Sequence, residues 1–306
     1  MDALDITVLL GGPSPEREVS LLSGAAVADA LERLGHRVTR ADISLRDTSA
    51  LDRKGIDLVF NVLHGEFGED GQVQTLCEQR GLRYTFSGPH ASRLAMDKAA
   101  SKQAFLRAGL ATPAWMVIED FHDPAKVQKW LTELPPPVVV KPVGGGSSVD
   151  VIIARTPAQR DDAMAALLDK NGRVMLERYV AGREFTVGVL GEQALPVLEI
   201  IPDGEFYDYR SKYSDEAKTQ YVFDSDIPPA TAEKMQQWAL AAHAALGCRD
   251  LSRVDFMLGT DAVPQVMEVN TIPGFTSHSL VPMAARRIGM SFDQLVEKIV
   301  ALAMQR

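Results

Sequence analysis

The sequence predicts an α/β fold of two or three packed domains, and three observations carry that prediction. Over the first 95 residues, strand-like apolar runs alternate with helical stretches, the pattern of β-α-β units around a parallel sheet. From residue 96 the character shifts to strands and helices that carry lysines at apolar boundaries. The chain's 306 residues are 46% hydrophobic, without a low-complexity tract, which suffices for several cores.

At the start, ITVLL reads as a buried strand and Gly11 to Pro13 as a turn. SPEREVSLLSGAAVADALERLG follows as a helix, with Ser14 as N-cap, Pro15 at the first helical position and Gly35 at the end. Strands RVTRAD and DLVFNVLHG, helix GQVQTLCEQRG and the short run RYTFSG complete a small parallel sheet that ends near residue 95. A ligand belongs at the carboxyl ends of such strands, where Glu16 follows the first and His64 ends another. Taken alone, Glu16 also suits a carboxylate favouring the helix dipole, and His64 a satisfied loop histidine. The Gly11-Gly12 turn lacks both the GxGxxG spacing and the Walker lysine pattern, which argues against a nicotinamide site.

The middle of the chain reads MDKAASKQAFLRAGL, strand TPAWMVI, a helix near 124 to 133, then PPPVVVKPVGGGSSVDVIIAR. Lys141 follows three valines and precedes Gly144, Gly145, Gly146, Ser147 and Ser148. A lysine ending a buried strand beside small residues suits an anionic phosphate, because backbone N–H groups can approach it too. It equally suits a stem lying along the strand with its head in solvent. After a further helix, RVMLERYV is a strand whose Glu177 interrupts an apolar run, and alone it reads as an edge-exposed carboxylate. The last third holds strands from Phe185 to Ile201, the loop GEFYDYRSKYSDEAKTQYVF and a helix from Pro229 to Leu246. Two terminal helices close the chain, the final one begun by a capping box at Ser291 and Gln294.

Between these helices lies the segment with the most chemistry. In SRVDFMLGTDAVPQVMEVNTIPGF, alternation puts Arg253 and Asp255 on one face and Val254 and Phe256 on the other. Val266, Glu268 and Asn270 then share a face, opposite Met267 and Val269. A turn centred near Asp261 and Ala262 closes an antiparallel hairpin that sets Asp255 against Glu268. Opposed carboxylates call for a cation between them. Three hard oxygen donors, Asp255, Glu268 and Asn270, without His or Cys, suit Mg²⁺ or Mn²⁺.

The formal net charge of −9 argues against a general nucleic-acid or anionic-membrane partner. MDALDITVLL lacks the basic start and long apolar core of a signal peptide, and no stretch is long and apolar enough for a membrane span. Cys77 and Cys248 suit inert thiols in a reducing cytoplasm, so a cytoplasmic location is expected.

Taken in order, GGPSPEREVSLLSG, LHGEFGEDG, MDK, VVVKPVGGGSSV, EFTVGVL, YDYRSKY, RVDFML and EVNTIPGFTSHSLVP resemble the D-alanine-D-alanine ligase family of ATP-grasp enzymes, over almost the whole chain. The resemblance implies three α/β domains, over 1–95, 96–180 and 181–306, with ATP clamped between the second and third. It implies ligation of two D-alanines through a D-alanyl phosphate, for peptidoglycan precursor synthesis, with two Mg²⁺ or Mn²⁺ ions accompanying ATP and a homodimeric assembly. Asp255, Glu268 and Asn270 match the metal ligands. Lys98 and Lys141 match the phosphate-binding lysines, with Gly146, Ser147 and Ser148 in the loop over the phosphates. Glu177 and Val180 match the adenine contacts, and Glu184 the ribose contact. Glu16 matches the holder of the first D-alanine's ammonium, with His64 near its carboxylate. Arg253 and the backbone N–H of Gly274 match the oxyanion donors. Lys212, Ser279 and Leu280 match contacts to the second substrate, Lys212 matching an ATP contact as well, and Tyr213 matches the position that separates a D-alanine acceptor from D-lactate. Two departures stand out: Asp150 replaces a frequent Gly at the loop end, adding negative charge near the phosphate lid, and Ile272 replaces a commonly small residue.

Overall fold

The computed structural model describes residues 2–119, 124–146, 149–204 and 218–306. Three sheets, met in chain order, organise it. The first is parallel, with β1 (Asp5–Leu10) between β2 (Arg37–Asp42) and β3 (Leu58–Asn61). Tyr84, in the expected RYTFSG run, bridges Val59 in parallel beside β3. Helices α1 (Arg17–Arg33), α2 (Gln72–Gln79) and α3 (Pro89–Met96) accompany this sheet. The second sheet is antiparallel, in the order β4 (Trp115–Ile118), β7 (Val174–Arg178), β5 (Val138–Pro142), β6 (Ile152–Ala154), with α4 (Lys98–Arg107) before it and α5 (Pro124–Glu133) and α6 (Pro157–Asn171) within its run of chain.

The third sheet is antiparallel as well. Its order is β11 (Gln220–Val222), β10 (Leu198–Ile201), β8 (Gly182–Leu190), β12 (Leu251–Gly259), β13 (Pro264–Asn270), and the short β9 (Gln193–Ala194) also pairs with β8. Helix α7 (Pro229–Leu246) packs on it, and its apolar face meets Phe185, Val254, Phe256, Val266 and Val269 in one core. The closing helices α8 (Leu280–Arg287) and α9 (Phe292–Met304) return to the first sheet, where Leu295, Val296, Ile299 and Val300 join Ile6, Val8 and Phe60 in a shared core. Such side chains contribute about 1.5–3 kcal/mol each when fully buried. The capping box at Ser291 and Gln294 is present.

Three local expectations need correction. Helix α1 starts at Arg17, and Ser14 does not cap it. The Ser14 hydroxyl instead accepts the Glu16 N–H at 2.9 Å, and the Ser14 carbonyl accepts from Arg17, so a separate turn precedes the helix. The hydroxyl satisfies the nearest N–H it can reach, and Glu16 becomes the N-cap residue at the mouth of the sheet. Glu177 is not on an edge: β7 lies between β4 and β5, and the side chain is wholly buried. Val266, expected beside Glu268 and Asn270, faces the core with Val269.

The last correction has a single cause. Arg253 pairs with Asn270, Val254 with Val269 and Asp255 with Glu268, as the turn position requires, but Phe256 pairs with Val266. Met267 is therefore a β-bulge. An extra residue on one strand lets Val266 and Val269 both face inward while Met267 and Glu268 both turn outward.

Candidate active site

Two adjoining cavities open where the three sheets converge. The smaller, about 90 Å³, gathers Glu16 from the start of α1, His64 after β3, Arg253 from β12, Asn270 from β13, and Gly274, Ser279 and Leu280 from the segment leading into α8. The larger, about 320 Å³, lies between the second and third sheets and takes in Lys141, Glu177, Val180, Glu184 and Asp255. Lys98, Gly145, Gly146 and Glu268 border both. Positions spread from 16 to 280 thus meet in one place. Ser147, Ser148, Lys212 and Tyr213 lie outside the described residues.

The hairpin supplies the acidic centre. Asp255 and Glu268 are direct cross-strand partners, and Glu268 is turned into the cavities by the bulge. Arg253 donates to both oxygens of Asp255, Nε at 2.9 Å and Nη2 at 2.7 Å, and Thr186 Oγ1 adds a third bond at 2.6 Å. Asn270 Oδ1 accepts from the Ile272 N–H at 2.9 Å, which fixes the amide with its oxygen oriented. Among the described residues no group of three His, Cys, Asp or Glu side chains clusters for a metal. The expected set escapes that pattern because its third member is an amide. Two opposed carboxylates with a held amide oxygen fit a hard divalent cation.

The lysines differ sharply from one another. Lys98 opens α4 and its ammonium donates to the Gly145 carbonyl at 2.5 Å, so it touches the glycine loop directly. Lys141 Nζ lies 2.7 Å from Glu177 Oε2, and the fully buried Lys102 lies 2.5 Å from Oε1. Burial pushes the Glu177 carboxyl up, but Lys141 and Lys102 together outweigh it and hold the group below its usual range. Burial draws Lys102 down to about 8, against the upward pull of Glu177. Losing one partner of such a buried pair costs about 3–5 kcal/mol. Lys102 is a residue that sequence reasoning missed. The signal was its spacing: four residues after Lys98 on a helix, it shares a face with it.

The smaller cavity carries a second missed residue. Glu69 accepts the Gly65 N–H at 2.6 Å and lines the cavity with Glu16 and His64. Burial, and then the Glu16 carboxylate, push its carboxyl well up, against the Gly65 N–H and Arg253. Burial also pushes His64 down to about 4, with Arg253 adding to it and the Ile272 backbone opposing, so the ring is neutral. Its Nε2 sits 3.5 Å from Ser23 Oγ, which in turn accepts from Phe275 N at 3.1 Å. Gly65 has φ +68, and a Cβ there would stand 2.6 Å from Glu16 Oε2. Gly274 is equally constrained, since a Cβ would meet Ser279 Oγ at 2.8 Å.

The two departures are absorbed locally. Asp150 has φ +60, the left-handed region that favours Gly, and its carboxylate accepts from Lys170 Nζ at 2.6 Å. Ile272 is fully buried in the core shared by the first sheet and the closing helices. Neither cysteine lines either of these two cavities, and burial pushes the thiols of Cys77 and Cys248 up to about 12 and about 11.

Two antiparallel sheets facing across a nucleotide-sized cleft, with a parallel-sheet body closing an amino-acid-sized pocket beside it, define an α/β ligase of the ATP-grasp class. Family models agree: that of the D-ala D-ala ligase C-terminus matches residues 105–301, and that of the N-terminus residues 42–87. The chain belongs to the D-alanine–D-alanine ligase family. A D-alanine–D-alanine ligase from Syntrophotalea carbinolica is 42% identical over 302 residues, 98% of this chain and 96% of that protein. Among solved structures, the D-alanine–D-alanine ligase from Bacillus anthracis complexed with ATP superposes with a TM-score of 0.86 at 32% identity, covering 100% of this chain and 98% of that one. The VanG D-Ala:D-Ser ligase from Enterococcus faecalis also superposes with a TM-score of 0.86, at 29% identity over 99% of this chain and 100% of that one.

Proposed function

We propose that this chain joins two D-alanines to D-alanyl-D-alanine, with ATP converted to ADP and phosphate, as a step in making peptidoglycan precursors. One observation carries the reading: a small pocket bearing an acid, a neutral imidazole and an arginine opens onto a nucleotide-sized cleft bearing two lysines, and Glu268 stands between them. A carboxylate is a poor electrophile, so the first D-alanine must become an acyl phosphate before an amine can attack it. Glu16 holds that D-alanine's ammonium and the neutral His64 donates toward its carboxylate. Lys98 and Lys141 contact the transferred and neighbouring phosphates, with Gly146 beside them; Ser147 and Ser148, which follow Gly146 in the chain, are read as further phosphate contacts. Val180 and Glu177 border the adenine, and Glu184 the ribose.

In the second step the amine of another D-alanine attacks the acyl carbon, and negative charge grows on its oxygen. Arg253 and the Gly274 N–H face that charge, while Lys212, Tyr213, Ser279 and Leu280 orient the acceptor. A donor of this kind lowers the barrier by about 3–4 kcal/mol. Asp255, Glu268 and Asn270 would hold two divalent cations, Mg²⁺ or Mn²⁺, which neutralise phosphate oxygens when bound. The same reading assigns residues 1–95, 96–180 and 181–306 to three domains, and takes the chain as a cytoplasmic homodimer. Among the described residues no helix is long and apolar enough to cross a membrane.

The likeness to a D-Ala:D-Ser ligase leaves the acceptor to be read at Tyr213 and its neighbours, with D-lactate as the alternative to D-alanine. The test is phosphate release from ATP with D-alanine alone and paired with D-serine or D-lactate, with products separated. D-alanine alone should support phosphate release in step with dipeptide. No release with D-alanine, in folded protein, overturns the reading. Arg253→Ala should lower kcat at least about 100-fold with the fold intact, and a rise confined to KM would make Arg253 a uniform binding group.

A further inference from the structure

To contact a phosphate, Lys141 must leave the carboxylate it pairs with. Among the described residues, Lys141 is one of two cations on the buried carboxylate of Glu177. If it turned to a phosphate with nothing else in place, Glu177 would be left buried and uncompensated, a state too costly to populate. The second cation is Lys102, which shares Glu177 with Lys141 but not its access to the cavities. Lys141 lines the larger cavity; Lys102 lines neither cavity and its side chain has no exposed surface. It therefore cannot reach a ligand.

What Lys102 does reach is protein. Its Nζ donates to Thr112 Oγ1 at 2.6 Å, and that hydroxyl donates to the Val266 carbonyl at 2.7 Å, beside the bulge that aims Glu268. The Val266 N–H is held on the same stretch, by the Ala111 carbonyl at 2.8 Å. The ring of Trp115 lies 5.6 Å from the ammonium. Lys102 thus ties β7 of the second sheet to β13 of the third at the floor of the cleft.

We propose that Lys102 is a positioning residue that keeps Glu177 permanently compensated, so that Lys141 can exchange this carboxylate for an anionic phosphate of the nucleotide. One cation is fixed and the other is transferable. The inference rests on Lys141 contacting phosphate. Its directions of charge agree: Lys102, drawn down only to about 8, is a cation at neutral pH, and Glu177 is an anion. A role confined to packing would predict that any residue filling the same space serves equally; a counter-ion role predicts that the effect of removing Lys102 vanishes once Glu177 is neutral.

The experiment compares Lys102→Met, Glu177→Gln, the double variant and Lys141→Met for ATP KM, kcat and Mg·ADP affinity by calorimetry. Lys102→Met keeps Glu177 paired with Lys141, so it should fold, with ATP KM raised at least about tenfold and kcat changed far less. In the Glu177→Gln background, itself shifted because Glu177 borders the adenine, Lys102→Met should change ATP KM and Mg·ADP affinity no further, since no buried charge is left to compensate. An unchanged KM in Lys102→Met, or an equal loss when Lys102→Met is made in the Glu177→Gln background, overturns the proposal. Lys141→Met separates the two ideas: if it leaves ATP KM unchanged, the phosphate reading of Lys141 falls and takes the proposal with it, whereas a weakened Lys141→Met beside a normal Lys102→Met removes the proposal alone. Should Lys102→Met fail to fold, Lys102→Gln carries the same expectations, because its amide keeps the Thr112 bond without the charge.

Discussion

Glu69 and His64 share one loop, and the same burial drives their protonation in opposite senses. For His64 the folded pKa, about 4, lies below the ordinary 6.5, so between those values the unfolded chain takes up a proton that the folded chain refuses. Stability present above pH 6.5 is lost as the pH falls toward 4. His243, buried against Ser252 and also near 4, behaves alike. A tenfold change in proton affinity is worth about 1.4 kcal/mol, so each histidine contributes on the order of 3 kcal/mol across that window. Urea unfolding from pH 7 to 4.5 should show the decline, and His64→Gln should flatten it; equal slopes would contradict the assignment. Glu69 runs the other way. With its carboxyl raised, the folded state binds the extra proton, and that stabilising contribution disappears as pH rises above the ordinary range. Glu69→Gln should therefore raise Tm at pH 8, with a gain that vanishes near pH 4, whatever it does to turnover.

At the scale of elements, the bulge at Met267 offers the sharpest test. Deleting Met267 would leave Phe256 on Val266 and Asp255 on Glu268, so both halves of the hairpin stay paired and the protein should fold. Glu268 would keep its face, but the bend that the extra residue gives the strand would be lost, so its carboxylate would shift in the cleft and phosphate release should fall at least about tenfold while circular dichroism stays native. Near-normal turnover would show that the bulge does not set the site. The hairpin also marks where the sequence was legible. Turn chemistry located Asp255 opposite Glu268, and periodicity with end signals located the helix from Pro229 to Leu246 and the box at Ser291. The bulge was not legible because one inserted residue keeps the strand pattern on each side and alters only the phase between them. Ser14 misled because a hydroxyl three residues before a helix can cap a turn instead. Glu177 and Lys102 were hidden for a different reason: sheet order places β7 centrally, and their pairing joins residues 75 positions apart, which no local pattern encodes.

At the scale of the whole molecule, the first sheet is fastened to the rest by aromatic rings. Phe275 lies 6.1 Å from Phe60 and 6.0 Å from Phe86, with Phe292 at 6.3 Å on α9, and it is next to Gly274. Phe275→Ala should cost about 3–5 kcal/mol in unfolding experiments and raise the KM for D-alanine, because the ring that seats the segment is gone. A stability loss with unchanged D-alanine KM would mean that Gly274 is placed by Ser279 and Ser23 alone.

The border that Lys98, Gly145, Gly146 and Glu268 give to both cavities has a consequence for inhibition. Two weak fragments, one seated in each cavity, need only a short tether across this border to become one molecule. Once the first half is bound, the second meets its cavity at an effective concentration on the order of millimolar, and the joined compound gains about 10²–10⁴ over the better fragment. The waist itself dictates the tether. It must be slim where the glycines approach, and an anionic group placed there would sit beside the Lys98 ammonium but against the Glu268 carboxylate, so its position along the tether decides whether charge helps or hurts.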